Sequence, residues 1–188
     1  RIYRLGFRKI ARNTDERTMI ATVIPPSFVT ESFQTLKVVD EDGHLLMSYA
    51  DQLYLGAVFN SFVFDALIRL KVTANMNFYF VYGTQVPDIL AADVRFKSIA
   101  KRAARLICTT PEFDDLAKSV GLKGHQDGAT DPTERAKLRA ELDGLVAHLY
   151  GLSEEEFTHI LGTFPLVADA VKVDAHNAYR RVAKGLVG

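Results

Sequence analysis

The sequence predicts an α+β fold: a small mixed or antiparallel sheet with helices, followed by a helical subdomain. Three observations carry this. Short β-branched and apolar runs bounded by polar turns fill the first part, and longer segments of helical period fill the second. Nearly half of the 188 residues (48%) are apolar, enough to bury a full core. The expected division is an α/β part over residues 1–87 and a helical subdomain over residues 88–188.

Residues 2–12 form a strand candidate, Asn13 to Glu16 a polar turn, and Thr18 to Ile24 a second strand that Pro25-Pro26 stops. LKVVDEDGHLLMSY suggests another hairpin, turning at Asp42-Gly43. Leu53, Ala57, Phe64, Leu67 and Ile68 recur at helical spacing and predict one helix from Gln52 to about Leu70. Asn77 to Tyr82 reads as a strand. Asp88 to Leu106 reads as a helix, and Thr110-Pro111 opens another as a cap followed by a first-turn proline. GLKGHQDGATDP predicts a flexible loop near residues 121–132. Asp131 and Pro132 begin the clearest helix, with Leu138, Leu142, Leu145, Val146 and Leu149 on one stripe, core or docking face, and Lys137, Arg139, Glu141 and Asp143 largely off it. Gly151 closes that helix, Ser153 with Glu156 forms a capping box for the next, and a last helix covers about Ala168 to Lys184.

Composition narrows the function. Lys plus Arg (23) equals Asp plus Glu (23), so no net field attracts nucleic acid at long range and any such contact must be local. The single Cys108, in the apolar stretch ARLICTTP, excludes an internal disulfide, reads as a small buried hydrophobe and fits the reducing cytoplasm. The most apolar run, residues 53–70, carries Asn60, Asp65 and Arg69, which argues against a membrane span. The chain opens on Arg1 inside a strand-like pattern, and is therefore expected to be a fragment of a larger protein.

No catalytic motif emerges. The five histidines, His44, His125, His148, His159 and His176, have neither zinc-ligand spacing nor a cysteine partner. Gly-rich phosphate loops, serine elbows, paired carboxylates and a downstream Glu-x-Lys are missing, so a self-contained nuclease is poorly supported. VIPPSF shares Pro-Pro-aromatic with the amine-holding motif of amino-group methyltransferases, yet Ile24 stands where that motif needs a polar acceptor. The hairpin FRKIARNTDERTMIATVIPP is more informative. Its basic groups, with Asn13 and Thr14 at the turn, supply donors for phosphates and base edges; the alternative is a solvated hairpin with Asp15 and Glu16 offsetting its charge.

That hairpin resembles the start of the target-recognition region of large bacterial restriction-modification proteins of the fused type II class, whose N-terminal part is an adenine-N6 DNA methyltransferase. The same pattern occurs in methyltransferase-like proteins of phage-exclusion systems. LYLGAVFNSFVFDALIRLKVTANMNFYFVYGTQVPDI and TERAKLRAELDGLVAHLYGLSEEEFTHILGTFPLV resemble the two blocks that follow, in the family's order. GTQVP departs from the family's Gln-x-Pro approach, and KVVDEDGHLLMSY looks like an insertion where site choice varies. The resemblance implies a chain that is non-catalytic alone, binds no cofactor itself and grips double-stranded DNA. The methyltransferase core of the same polypeptide would hold S-adenosylmethionine and the flipped adenine. Arg8, Arg12, Asn13, Thr14 and Arg17 are then the expected DNA contacts of the first block, with internal pairing to Asp15 or Glu16 as the alternative. Arg69, Lys71, Asn75 and Asn77 follow as a loop facing DNA, with turn formation as the alternative for the asparagines. Tyr79 and Tyr82 are expected to fill the sheet core more than to stack on a base. The rival from another class is an assembly module of a phage-defence complex that reads no bases.

Overall fold

The computed structural model describes residues 2–188; Arg1, on which the expectation of a fragment start rests, lies outside them. The chain is α+β. Strands β1 (Arg4–Arg8), β2 (Ala21–Ile24) and β3 (Phe33–Thr35) form an antiparallel sheet in the order β2-β1-β3. The register places Leu5 opposite Val23 and Phe7 opposite Ala21, while Gly6 faces Thr35 on the other edge. Alternation turns Leu5 and Phe7 to one face, where both are fully buried against the helices.

Three expected elements differ. The hairpin around Asp42-Gly43 is present but shorter than expected: Asp40 N donates to His44 O and Leu46 N to Val38 O on either side of a single bridge, Val39 to Leu45, and Asp40 Oδ1 accepts the N–H groups of Asp42 and His44 at the turn. Gly43 there has φ of +85°, which a side chain would resist. Phe33–Thr35, where no element was expected, supplies the third strand. The single helix expected from Gln52 to Leu70 is two, α1 (Tyr49–Phe59) and α2 (Phe62–Arg69). Asn60 ends α1, its Nδ2 donating to Ala21 O and Gly56 O and its Oδ1 accepting from Ala21 N at 3.0 Å; Ser61 then caps α2 by accepting from Phe64 N. Periodicity alone does not register such a break, because both helices keep their apolar faces inward.

The strand expected at Asn77 to Tyr82 is the short helix α3 (Phe78–Tyr82). Both edges of β1 are already taken, and the aromatic run is satisfied by helical spacing: Phe78 packs edge-on to Phe7 at 5.3 Å and stacks on Tyr82, while Val81 is buried.

Helix α4 (Val94–Ile107) starts later than expected, at Asp93, whose side chain accepts from Arg95 N. A 3₁₀ turn (Pro111–Phe113) leads into α5 (Asp114–Lys118). Within residues 121–132, His125–Asp127 forms a further 3₁₀ turn, Asp114 Oδ1 accepts from His125 N at 2.8 Å, and Ala129 N donates to Arg105 O at 2.7 Å. Helix α6 (Pro132–Leu149) is capped by Asp131, α7 (Glu154–Gly162) by the Ser153–Glu156 capping box, and α8 (Asp169–Ala183) follows, all close to expectation. Leu138, Leu142, Leu145 and Val146 of the α6 stripe are buried. Cys108 is buried too, and desolvation pushes its thiol up to about 12, which leaves it inert.

One core cluster runs from Tyr3, Leu5 and Phe7 through α1 and α4 to Leu145 and Val187, across residues 87 and 88. A second, with Phe62, Phe157, Phe164 and Tyr179, lies among α2, α7 and α8. No helix among the described residues is long and apolar enough to cross a membrane.

Helices α6 and α8 meet at Gly144, where a Cβ would stand 2.7 Å from Tyr179 N and 2.8 Å from Ala178 C. Rigid backbone offers no relief at that distance. Gly144→Ala should lower the free energy of unfolding by about 1–3 kcal/mol in urea denaturation; an unchanged midpoint would show that the two helices separate freely.

Candidate nucleic-acid interface

The opening hairpin closes through its own polar groups. Asp15 N and the Thr18 hydroxyl both donate to Arg12 O, and Asp15 Oδ2 accepts from Arg12 N at 3.1 Å. Arg8 reaches back inside this turn, donating from Nη2 to Asp15 Oδ2 and to Arg17 O. The internal pairing weighed for the hairpin is therefore present at Arg8.

Arg17 and Arg69 converge on Asp65, a carboxylate with no exposure. Arg17 Nε donates to Asp65 Oδ2 at 2.6 Å and its Nη2 to Asn60 O at 2.6 Å, while the guanidinium lies 4.4 Å over the Phe62 ring. Arg69 sits 4.3 Å over Phe164 and donates to Asp15 O and Glu16 O, both at 3.1 Å. Thr18 N and Met19 N also donate to Asp65. This set holds the base of the hairpin against α2. Lys71 is likewise occupied, donating to Gly83 O at 2.6 Å and to the Thr84 hydroxyl.

The remaining residues of the expected set share one surface. Ile10 bridges to Asn75, Ala11 N donates to Ala74 O and Met76 N donates to Lys9 O at 2.6 Å, so residues 9–11, which lead into the hairpin turn, run beside residues 74–76. Arg12, Asn13, Thr14, Asn75 and Asn77 are all exposed there. Arg12 has no ion-pair partner among the described residues. Asn77 caps α3 by backbone position alone, with no side-chain cap bond. Tyr79 and Tyr82, expected in the core, are 82% and 69% exposed, because Phe78 and Val81 occupy the inward face of α3. The face thus combines one free guanidinium, several amide and hydroxyl groups and two exposed phenol rings, a set able to contact phosphates, base edges and base faces.

A second site escaped the sequence reading. Asp143 and Glu141, placed off the apolar stripe of α6, are each only 7% exposed. Glu141 pairs with Arg102 at 2.9 Å. Asp143 accepts Phe62 N–H at 2.9 Å and lies at a cleft of about 610 Å³ between β2, α1, α4, α6 and α8. Burial pushes the Asp143 carboxyl up to about 6, against the opposing pull of the Arg17 guanidinium and the Phe62 N–H. The signal available in advance was weak: an acid between Leu142 and Gly144, where glycine marks a close helix crossing. Asp65, inside FVFDALIR, was the stronger clue, since a lone acid among aromatics needs a cationic partner.

Asp40, Asp42 and His44 bring ligand-type atoms within 4.8 Å of one another, but at an exposed turn whose carboxylate is already used by backbone N–H groups.

Asp65→Ala should cost about 3–5 kcal/mol in urea denaturation by stranding two guanidiniums, whereas Arg12→Ala should stay within about 0.5 kcal/mol. Equal, small effects would mean that the Asp65 cluster does not hold the hairpin. For Asp143 the folded carboxyl titrates above its ordinary 3.8, so the proton is bound more tightly by the folded chain. The resulting stabilisation is full below the unfolded value and is lost as pH rises through about 6. Asp143→Asn, which keeps an acceptor for Phe62, should therefore gain about 2–3 kcal/mol on the parent chain between about pH 3.5 and about pH 7.5; a pH-independent difference would rule out the raised carboxyl.

Comparison with known protein families, with characterised proteins and with solved structures finds no match to this chain.

Proposed function

We propose that this chain is the DNA target-recognition part of a restriction-modification DNA adenine methyltransferase, selecting the site that a catalytic core elsewhere in the polypeptide methylates. The observation that carries the reading is the pairing of residues 9–11 with residues 74–76, which sets the hairpin of Arg12, Asn13 and Thr14 next to the segment of Asn75 and Asn77 that leads into α3 with its exposed Tyr79 and Tyr82. Their chemistry suits groove contacts, and the neutral net charge assigns most of the phosphate grip to the core. The resemblance of three blocks to the fused type II class supports the parent enzyme, its S-adenosylmethionine and a bacterial cytoplasmic setting. Arg8, Arg17, Arg69 and Lys71 act here by fixing the shape of the face.

A second reading is an assembly module of a phage-defence complex. It is favoured by Leu166, Val171, Val173 and Leu186, apolar and exposed on and beside α8. Light scattering on the sample used for DNA titration separates the two.

The test is selection from a randomised duplex pool at low salt, followed by binding at rising salt. The expected result is an enriched short motif and a shallow salt slope. Arg12→Ala should weaken binding by about 1–3 kcal/mol and relax one position of that motif, with smaller losses for Asn75→Ala and Tyr79→Ala. In the parent enzyme Arg12→Ala should lower methylation of cognate DNA and leave S-adenosylmethionine binding intact. Unchanged methylation at limiting enzyme, or retention of no duplex beside a stable oligomer, would transfer the assignment to the assembly reading.

A further inference from the structure

We propose that the cleft between β2, α1, α4, α6 and α8 binds a neutral, flat heterocycle of the nucleobase class, its N–H edge on Asp143 and its acceptor edge on Arg139. This goes beyond the DNA face and does not depend on it.

The cleft has the size of small-ligand sites, about 610 Å³. Small side chains, Ala21, Ala57, Ala136 and Ala140, leave the room, and Leu106 and Ile107 supply apolar wall. Ligands with apolar faces gain from such walls; ligands fully hydrated on all sides do not. Polar groups then select among them. Asp143 is nine-tenths buried, and only its Oδ1 is used, by Phe62 N–H. Oδ2 accepts no hydrogen bond from any described residue. An unpaired oxygen on a carboxylate nine-tenths buried, open only toward the cleft, is met by an N–H or O–H donor from the occupant.

Charge decides the class. Arg17, Arg135 and Arg139 line the cleft together with Asp143 and Asp174, and Arg17 is engaged by Asp65, a carboxylate it shares with Arg69. Arg135 is fixed, donating from Nη1 to Leu106 O and Ala129 O at 2.9 and 2.8 Å. Arg139, one turn further along α6, is exposed and has no ion-pair partner among the described residues, while its charge still reaches Asp143. With Arg17 engaged by Asp65, the two cations Arg135 and Arg139 stand against the two anions Asp143 and Asp174, so an anion or a cation would enter with one charge uncompensated. A neutral molecule meets no such cost. A donor toward Asp143, an acceptor toward Arg139 and apolar faces between them are the features of a nucleobase, whether free as a nucleoside or carried on a single strand.

The experiment is calorimetric titration of the full chain with adenosine, guanosine, cytidine and thymidine, with benzamidine and benzoate as flat charged probes. At least one nucleoside should saturate one site in the sub-millimolar range, and both charged probes should bind more weakly. Ala136→Phe, which places a ring in the cleft from a half-buried position on α6, should weaken that nucleoside by about tenfold or more. Arg139→Ala, at an exposed position, should weaken it several-fold and keeps the test valid if Ala136→Phe fails to fold. Competition with a short single-stranded oligonucleotide separates the sources: displacement identifies a base on a strand, and its lack a free nucleoside. Failure of all four nucleosides to saturate, tighter binding of a charged probe, or indifference to both variants would overturn the proposal. Because Arg12 is distant from this cleft in role and remains in every variant, loss of nucleoside binding is distinguishable from failure of duplex recognition.

Discussion

The structure depends on one buried carboxylate. Asp65 has no contact with solvent, and its charge is made tolerable by three donors, Arg17 Nε and the backbone N–H groups of Thr18 and Met19, together with the Arg69 guanidinium, whose Nε stands 3.7 Å away as an ion pair without a hydrogen bond. A carboxylate alone in that position would carry a desolvation penalty larger than most domains can bear. The arginines in turn lie over the faces of Phe62 and Phe164, where ring quadrupoles favour cations. Sheet hairpin, α2 and the α7–α8 connection are therefore joined by one electrostatic knot rather than by apolar packing alone.

The same knot sorts the basic residues near the opening hairpin by task. Cations that reach Asp65 or the hairpin carbonyls shape the surface, Lys9 is taken by Glu31, and Arg12 stays available. Local sequence charge is thus a poor guide to which arginine meets a ligand. What separates Arg12 from Arg17 is a residue nearly fifty positions away.

This explains how much was legible beforehand. The α+β class, the antiparallel opening strands and the caps at Asp131 and Ser153 were legible because each rests on neighbours within a few residues. The hairpin turn was legible for the same reason, and so was the alternative that its arginines pair internally. Asn60 and Phe78–Tyr82 were not, since one depends on a carboxamide gripping a distant strand and the other on whether a sheet edge remains free. Tyr79 and Tyr82 were misplaced by the same error, because a strand and a helix send alternate residues to different faces. Asp143 was hidden because helical period places it by angle, whereas the crossing at Gly144 brings α8, and the Phe62 N–H brings the start of α2, over that side.

Phe164 gives this arrangement an order in time. The ring that covers both Arg17 and Arg69 belongs to the connection between α7 and α8, far along the chain from the hairpin it steadies. During synthesis the hairpin and α2 leave the ribosome before that ring is made, so the cover over Arg69 and the outer cover over Arg17 are completed only afterwards. The N-terminal surface therefore owes part of its cover to a residue of the C-terminal part of the chain.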